Sequence, residues 1–309
     1  MPTNNKHKKE QDGYTIWISF IKKSISLLYK KTGLLCVFIP SIWLKPDKEK
    51  MHEYLIQYDI RFLNCISNTE TNRIFKGNAQ TPSCFFLLTK KPSTKIINIY
   101  DHSRNKYVDY NLSTTGLPIP VYGQEIVNKL QPHCYLPDNT NISLVVIKTN
   151  MPPKNTILSS EKTDVYKYPN ISTCRLKPKT NIPELIINYS KTPLVYFGVP
   201  KLILAHKMYG FPYLDISGDY GICNRDNYVI LKNTQEELLK IQKFLSTKTA
   251  LYLFEATRYR MKYLEKYAFQ LIPDITQIMD FPIKINDETI AAYFQFDKID
   301  RKAIQTLHK

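Results

Sequence analysis

Between positions 258 and 267 the chain sets Arg258, Arg260, Lys262 and Lys266 among Tyr259, Tyr263 and Tyr267. Cations pair with phosphate oxygens and tyrosine rings offer flat faces, so this interleaving suits a polyanion. Lys201, which with Pro200 interrupts an otherwise apolar run over residues 199–205, joins Arg258, Arg260, Lys262 and Lys266 as a candidate DNA-binding residue. The whole chain points the same way. Its 43 basic and 27 acidic residues leave a net charge of +16 over 309 residues, a positive potential that favours nucleic acid.

Other arrangements of residues capable of chemistry are weaker. Asp215, Asp219 and Asp226 have the spacing of metal-binding carboxylates, but among glycines and asparagines such aspartates more often cap turns. Pro46-Asp47-Lys48-Glu49-Lys50 crowds together the letters of a nuclease signature, yet it sits where a helix should begin. His7, His52, His102, His133, His206 and His308 are isolated from one another and from the cysteines, which argues against zinc. Cys36, Cys65, Cys84, Cys134, Cys174 and Cys223 form no C-x-x-C pair and follow no secretory signal. They read as reduced core thiols of a soluble, cytoplasmic protein. The longest apolar run, residues 34–39, is far too short to span a bilayer.

The elements that must position these residues follow from periodicity. Residues 1–12 are polar and expected to fray. Trp17, Phe20, Ile21, Ile25 and Leu28 recur at three and four, giving an amphipathic helix that Gly33 stops. The continuous apolar run 34–39 predicts a strand buried on both faces of a mostly parallel sheet. A helix from Pro46 and a strand over 60–66 continue a doubly wound α/β pattern, in which ligands sit beyond the carboxyl ends of the strands. Residues 83–88 and 96–100, joined by Lys91-Pro92-Ser93, read as an antiparallel hairpin edge. A linker rich in Ser, Thr, Gly and Pro spans 111–121 and divides a domain at 13–112 from one at 122–309.

In the second part, residues 149–179 read as irregular strands and basic loops that carry Tyr166 and Tyr168 and can lie along phosphates. The stretch 199–231 reads as a small sheet with tight turns. Thr234 should N-cap a helix with Leu238, Leu239, Ile241, Phe244 and Leu245 on its buried stripe. A second helix, from about Thr249, is expected to run on through Tyr259, Tyr263 and Tyr267.

The string TGLLCVFIPSIWL at residues 32–44, with the helix before it and RIFKG and TPSCFFLLTKK after it, resembles the back half of the catalytic domain of adenine-specific DNA methyltransferases. The type is the one in which a target-recognition domain follows the catalytic one. The likeness covers roughly residues 13–110. Residues 199–274 are similar to the recognition domain, and the tail from Asp287 resembles an ending common among large-DNA-virus members. This implies a partial doubly wound methyltransferase-like sheet followed by an α+β target-recognition-like domain, acting on double-stranded DNA. It also implies that Phe75 stacks on a base flipped out of the duplex.

S-adenosylmethionine binding in that family needs a glycine-rich turn and an acidic strand end, and none of the nine glycines forms such a loop. The only Pro-Pro pair, Pro152-Pro153, is not the family's Asn/Asp-Pro-Pro-Tyr. By family order that loop would fall just before Gly13. The expectation is a chain that begins after its own active-site loop, uses S-adenosylmethionine only if a separate chain carrying the front half supplies the pocket, and is inactive alone. A catalytically silent DNA-binding or structural protein of a large DNA virus is the alternative.

Overall fold

The computed structural model describes residues 16–30, 32–79, 81–112, 116–260 and 263–306. The stretch 1–12, expected to fray, lies outside them, as do Lys262 and the centre of the expected linker. In chain order, α1 (Ile16–Leu27) leads into β1 (Leu34–Pro40), a 3-10 turn (Ser41–Leu44), α2 (Met51–Ile56), β2 (Tyr58–Ile66), α3 (Asn68–Ile74), β3 (Ser83–Pro92), β4 (Ile96–Asp101) and β5 (Lys106–Asn111). Then come α4 (Gln124–Leu130), β6 (Ile147–Lys148), β7 (Tyr168–Leu176), β8 (Pro183–Ser190), β9 (Lys201–Ala205), β10 (Tyr213–Asp215), β11 (Gly221–Ile222) and β12 (Asn227–Ile230). The chain ends in α5 (Gln235–Leu245), α6 (Lys248–Ala256), two 3-10 turns, α7 (Asp287–Tyr293) and α8 (Lys298–Gln305). The fold is mixed α/β, and the described residues form three sheets.

The first sheet has the order β1-β3-β2-β4-β5. Here two expectations are corrected. β3 returns between β1 and β2 and is antiparallel to both, so β2–β4 is the one parallel pairing among the described strands of this sheet. Among the described residues, the helices that join its core, α1, α2 and α4, lie on one face. Leu35, Val37 and Ile39 of β1 point toward the core, while Leu34 and Phe38 on the alternate positions are exposed. The apolar run is therefore a one-face strand, because every second residue of a strand turns to the uncovered side. The expected hairpin between 83–88 and 96–100 does not form either, since β2 lies between those strands. β4 instead pairs with β5 through a tight turn in which Asn105 takes a left-handed backbone (φ 51°) and Asp101 Oδ1 accepts from Ser103 N at 2.9 Å.

The inner face packs on Ile21 and Ile25 of α1, Trp43 of the 3-10 turn, Leu55 of α2 and Val127 of α4. Trp43 is fully buried, its Nε1 donates to Cys84 Sγ at 3.2 Å and its ring meets Phe86 edge-on at 5.1 Å. Asp47 does not face a catalytic cleft. Its carboxylate accepts from Glu49 N at 2.7 Å and orders the turn into α2.

The second sheet, β10-β9-β12-β6, forms a middle layer. Leu202, Leu204, Tyr228 and Ile230 on one face join the main core, while Ile203, Ala205 and Val229 on the other join Ile171, Cys174 and Ile222 of the third sheet, β11-β7-β8. A strand buried on both faces reads as an unbroken apolar run, which is what residues 202–205 show. α5 begins as expected, with a capping box between Thr234 and Glu237.

The expected linker is not a solvated tether. Leu117, Ile119 and Val121 are buried, Ile119 N donates to Leu44 O and Val121 N to Ala256 O, both at 2.7 Å. One core accordingly runs from Ile21 to Ile304. Arg104 reinforces it by donating at 2.6 Å to both Asp297 and Asp300, which ties α8 to the β4–β5 turn and holds the Asp297 carboxyl well below its ordinary value. Among the described residues no helix is long and apolar enough to cross a membrane.

Candidate nucleic-acid interface

α6 stops at Ala256, short of the expected tyrosine-bearing helix. Tyr259 explains the stop. Its ring is completely buried and its hydroxyl donates to Ile119 O at 2.6 Å, a position that a continuing helix would not reach. The following segment crosses the end of β9 and is pinned there, with Leu264 N donating to His206 O at 2.7 Å and Tyr228 Oη donating to Leu264 O at 2.9 Å.

This crossing assembles a cavity of about 260 Å³ at the end of β9. The Tyr263 ring stacks on His206 with centroids 4.7 Å apart and planes at 28°. Lys207 Nζ lies 5.8 Å from the centre of the Tyr263 ring, and Lys45 Nζ lies 5.2 Å from that of Tyr267. Lys148, Arg260 and Lys266 line the opening with their side chains exposed. Glu265 is the carboxylate in the wall, 3.8 Å from Lys45 Nζ and 4.0 Å from Arg260 Nε. Three cations against one carboxylate in the lining leave the cavity positive.

The titration of His206 reports the same field. Burial pushes its pKa below the ordinary value first, and the ammonium of Lys148, with Arg260 and Lys207 behind it, pushes further against a partial offset from Asp226. The imidazole is thus held neutral in a place where an incoming anion would favour its charged form. Lys45 is nine-tenths or more buried, and burial lowers its pKa despite Glu265.

Arg260 and Lys266 of the candidate set meet at this cavity, and Lys262 between them lies outside the described residues. Arg258 turns elsewhere, with Nη1 donating to Glu255 at 2.9 Å and its guanidinium over the Tyr209 ring at 5.7 Å. Lys201 is removed from any phosphate. Its side chain is fully buried, and Nζ donates to Asp215 Oδ2 at 2.5 Å and to the carbonyls of Tyr196 and Val199 at 3.0 Å. Asp215 also accepts from the backbone N–H groups of Asp219 and Tyr220, so it closes a turn rather than holding a metal. Among the described residues no three His, Cys, Asp or Glu side chains are grouped to bind one. Phe75 caps the end of α3, half-exposed, against Phe38 with ring centroids 5.7 Å apart.

Of the irregular strands and basic loops expected over 149–179, residues 168–176 form the regular strand β7; Lys167 lies over Tyr168, and Lys191, beyond that stretch, lies over Tyr166, each at 5.4 Å. Sequence reasoning missed Lys148, His206 and Lys207. His206 and Lys207 directly follow the apolar run of β9, and position just past a buried strand was the signal that could have found them.

The strand ends do not fit S-adenosylmethionine. β1 runs into the bulky, largely buried Ile42-Trp43-Leu44, β2 ends at Ile66 directly before Ser67, which caps α3, and Asp215 at the end of β10 is engaged by Lys201 and backbone N–H groups. Comparison of the chain with family models and with curated proteins finds no match.

Proposed function

We propose that this chain binds double-stranded DNA, with the cavity at the end of β9 as its phosphate-contacting centre, in the role of the target-recognition half of an adenine-specific DNA methyltransferase. The observation that carries DNA binding is the convergence of Lys148, Lys207, Arg260 and Lys266 on the stacked His206–Tyr263 pair. Cations fix the backbone and the polar edges of the rings beside them meet base edges, the division of labour that duplex recognition uses.

The methyltransferase part rests on the residues 32–44, 73–77 and 81–91 and on one feature of the fold that accords with them. Among the described residues β1 pairs with β3 alone, so its other edge offers free backbone groups to a further strand. A separate chain adding its sheet there would bring the cofactor pocket and the catalytic loop that this chain's strand ends do not provide. A catalytically silent DNA-binding protein would use the same cavity.

The test is methyl transfer from S-adenosylmethionine to duplex DNA, measured with this chain alone and with a polypeptide carrying an Asn/Asp-Pro-Pro-Tyr front half. The expected result is no transfer alone and transfer with the partner. Transfer by this chain alone would overturn the division of labour, and none in either case would leave only the silent reading.

A further inference from the structure

The outward face of the first sheet, which no described helix covers, carries aromatic rings on all five strands. Phe75 packs on Phe38 of β1 (5.7 Å between centroids), and Phe38 sits directly opposite Phe85 of β3. Phe85 meets Phe62 of β2 at 6.2 Å, Phe62 meets Tyr107 of β5 at 6.2 Å, and Tyr107 meets Tyr100 of β4 at 5.2 Å. His102 closes the row 5.0 Å from Tyr100, its Nε2 held by Cys65 O at 2.9 Å and Asn64 Oδ1 at 3.2 Å. Phe38, Phe75 and Tyr107 are 42%, 42% and 44% exposed.

We infer that this row is a stacking platform for the unpaired bases of single-stranded nucleic acid. Rings rather than aliphatic side chains dominate the face, and every base has a π-face that such rings accept without regard to sequence. Five strands span roughly 19 Å at the usual strand spacing, room for a few splayed nucleotides. Charge is complementary as well. Arg73 and Arg61 are exposed beside the row, paired loosely with Glu70 at 3.9 Å and Asp59 at 3.7 Å, Lys76 is exposed next to Phe75, and the chain carries +16 overall. The two aspartates of the face are already engaged, Asp59 by Thr89 Oγ1 at 3.1 Å and Asp109 by Asn98 Nδ2 at 2.6 Å. The platform goes beyond the duplex reading and is independent of it, because ligand and residues differ.

The experiment is fluorescence anisotropy of a labelled dodecathymidylate, in parallel with a labelled duplex, for the wild-type chain, F38S/Y107S and R260E/K266E. Both rings of the first variant are exposed, and circular dichroism checks that its fold is kept. The platform predicts that F38S/Y107S loses roughly five- to hundred-fold of its single-strand affinity and keeps its duplex affinity. R260E/K266E should show the reverse loss. Single-strand affinity that is absent, or unchanged in F38S/Y107S, overturns the inference. So does light scattering that shows a wild-type dimer dispersed by F38S/Y107S with no oligonucleotide bound, since a second copy would then be the occupant of the face.

Discussion

The imidazole of His206 lies against the ring of Tyr263, 4.7 Å between centroids, at the mouth of a cavity where burial first, and then the neighbouring cations, lower that imidazole's pKa. An anion bound there reverses the balance and raises the His206 pKa, so binding takes up a proton. Affinity for DNA should therefore increase as pH falls below about 6.5, the unperturbed histidine value. Anisotropy at pH 5.5 and 8 checks this, and H206N should flatten the difference while leaving binding at pH 8 in place.

Lys201 serves the fold and not the ligand. Replacing it with methionine leaves the Asp215 carboxylate buried without its cation, and breaking a buried pair in this way costs about 3–5 kcal/mol. Urea unfolding of K201M should show that loss. At temperatures where K201M is folded, its DNA affinity should depend on salt as the wild type does, whereas K266E should reduce the slope by about one.

Acid should weaken the fold through His52. Its ring is buried, Nδ1 lies 3.1 Å from Trp43 O, and burial holds its pKa below the ordinary value. The unfolded chain then binds more protons, so the stability this group contributes is complete above about pH 6.5 and is lost as pH falls toward the folded-state value. Thermal unfolding between pH 7.5 and 5 should show a falling Tm, and H52Q should lessen the fall.

The cysteines should divide one against five. Cys36 is exposed on the outer face of β1, whereas Cys65, Cys84, Cys134, Cys174 and Cys223 are buried. Burial pushes Cys84, Cys134 and Cys174 up to about 12 and raises Cys65 and Cys223 as well. A thiol must ionise and be reached before it reacts. Titration of the native chain with a thiol reagent should modify Cys36 rapidly and the remaining five only on unfolding, with C36S abolishing the fast phase.

Much of the local structure was legible in the residues, and the long-range pairings were not. The Thr234–Glu237 box and the apolar run of β9 announce their elements because capping and burial act within a few residues. Strand order depends on which edges meet, so the same apolar pattern at 34–39 served equally for a two-faced parallel strand and for the one-faced β1. β5 was passed over although Val108 and Tyr110 alternate with polar neighbours, the half-buried signature. In the site, Arg260 and Lys266 were visible as charges near rings. The inward turn of Tyr259, the burial of Lys201 and the arrival of Lys148 from a distant strand are tertiary events that no local window carries.

Duplex DNA affinity of the wild-type chain and of R260E/K266E, followed over 50 to 300 mM salt, tests the cationic cavity most directly. Four exposed cations at about 0.9 released counterions per phosphate predict a log–log slope of about −3 to −4 for the wild type. The double variant should bind more weakly at every salt concentration, with a shallower slope. Affinity that is absent or indifferent to salt, or a variant that follows the wild-type line, would contradict it.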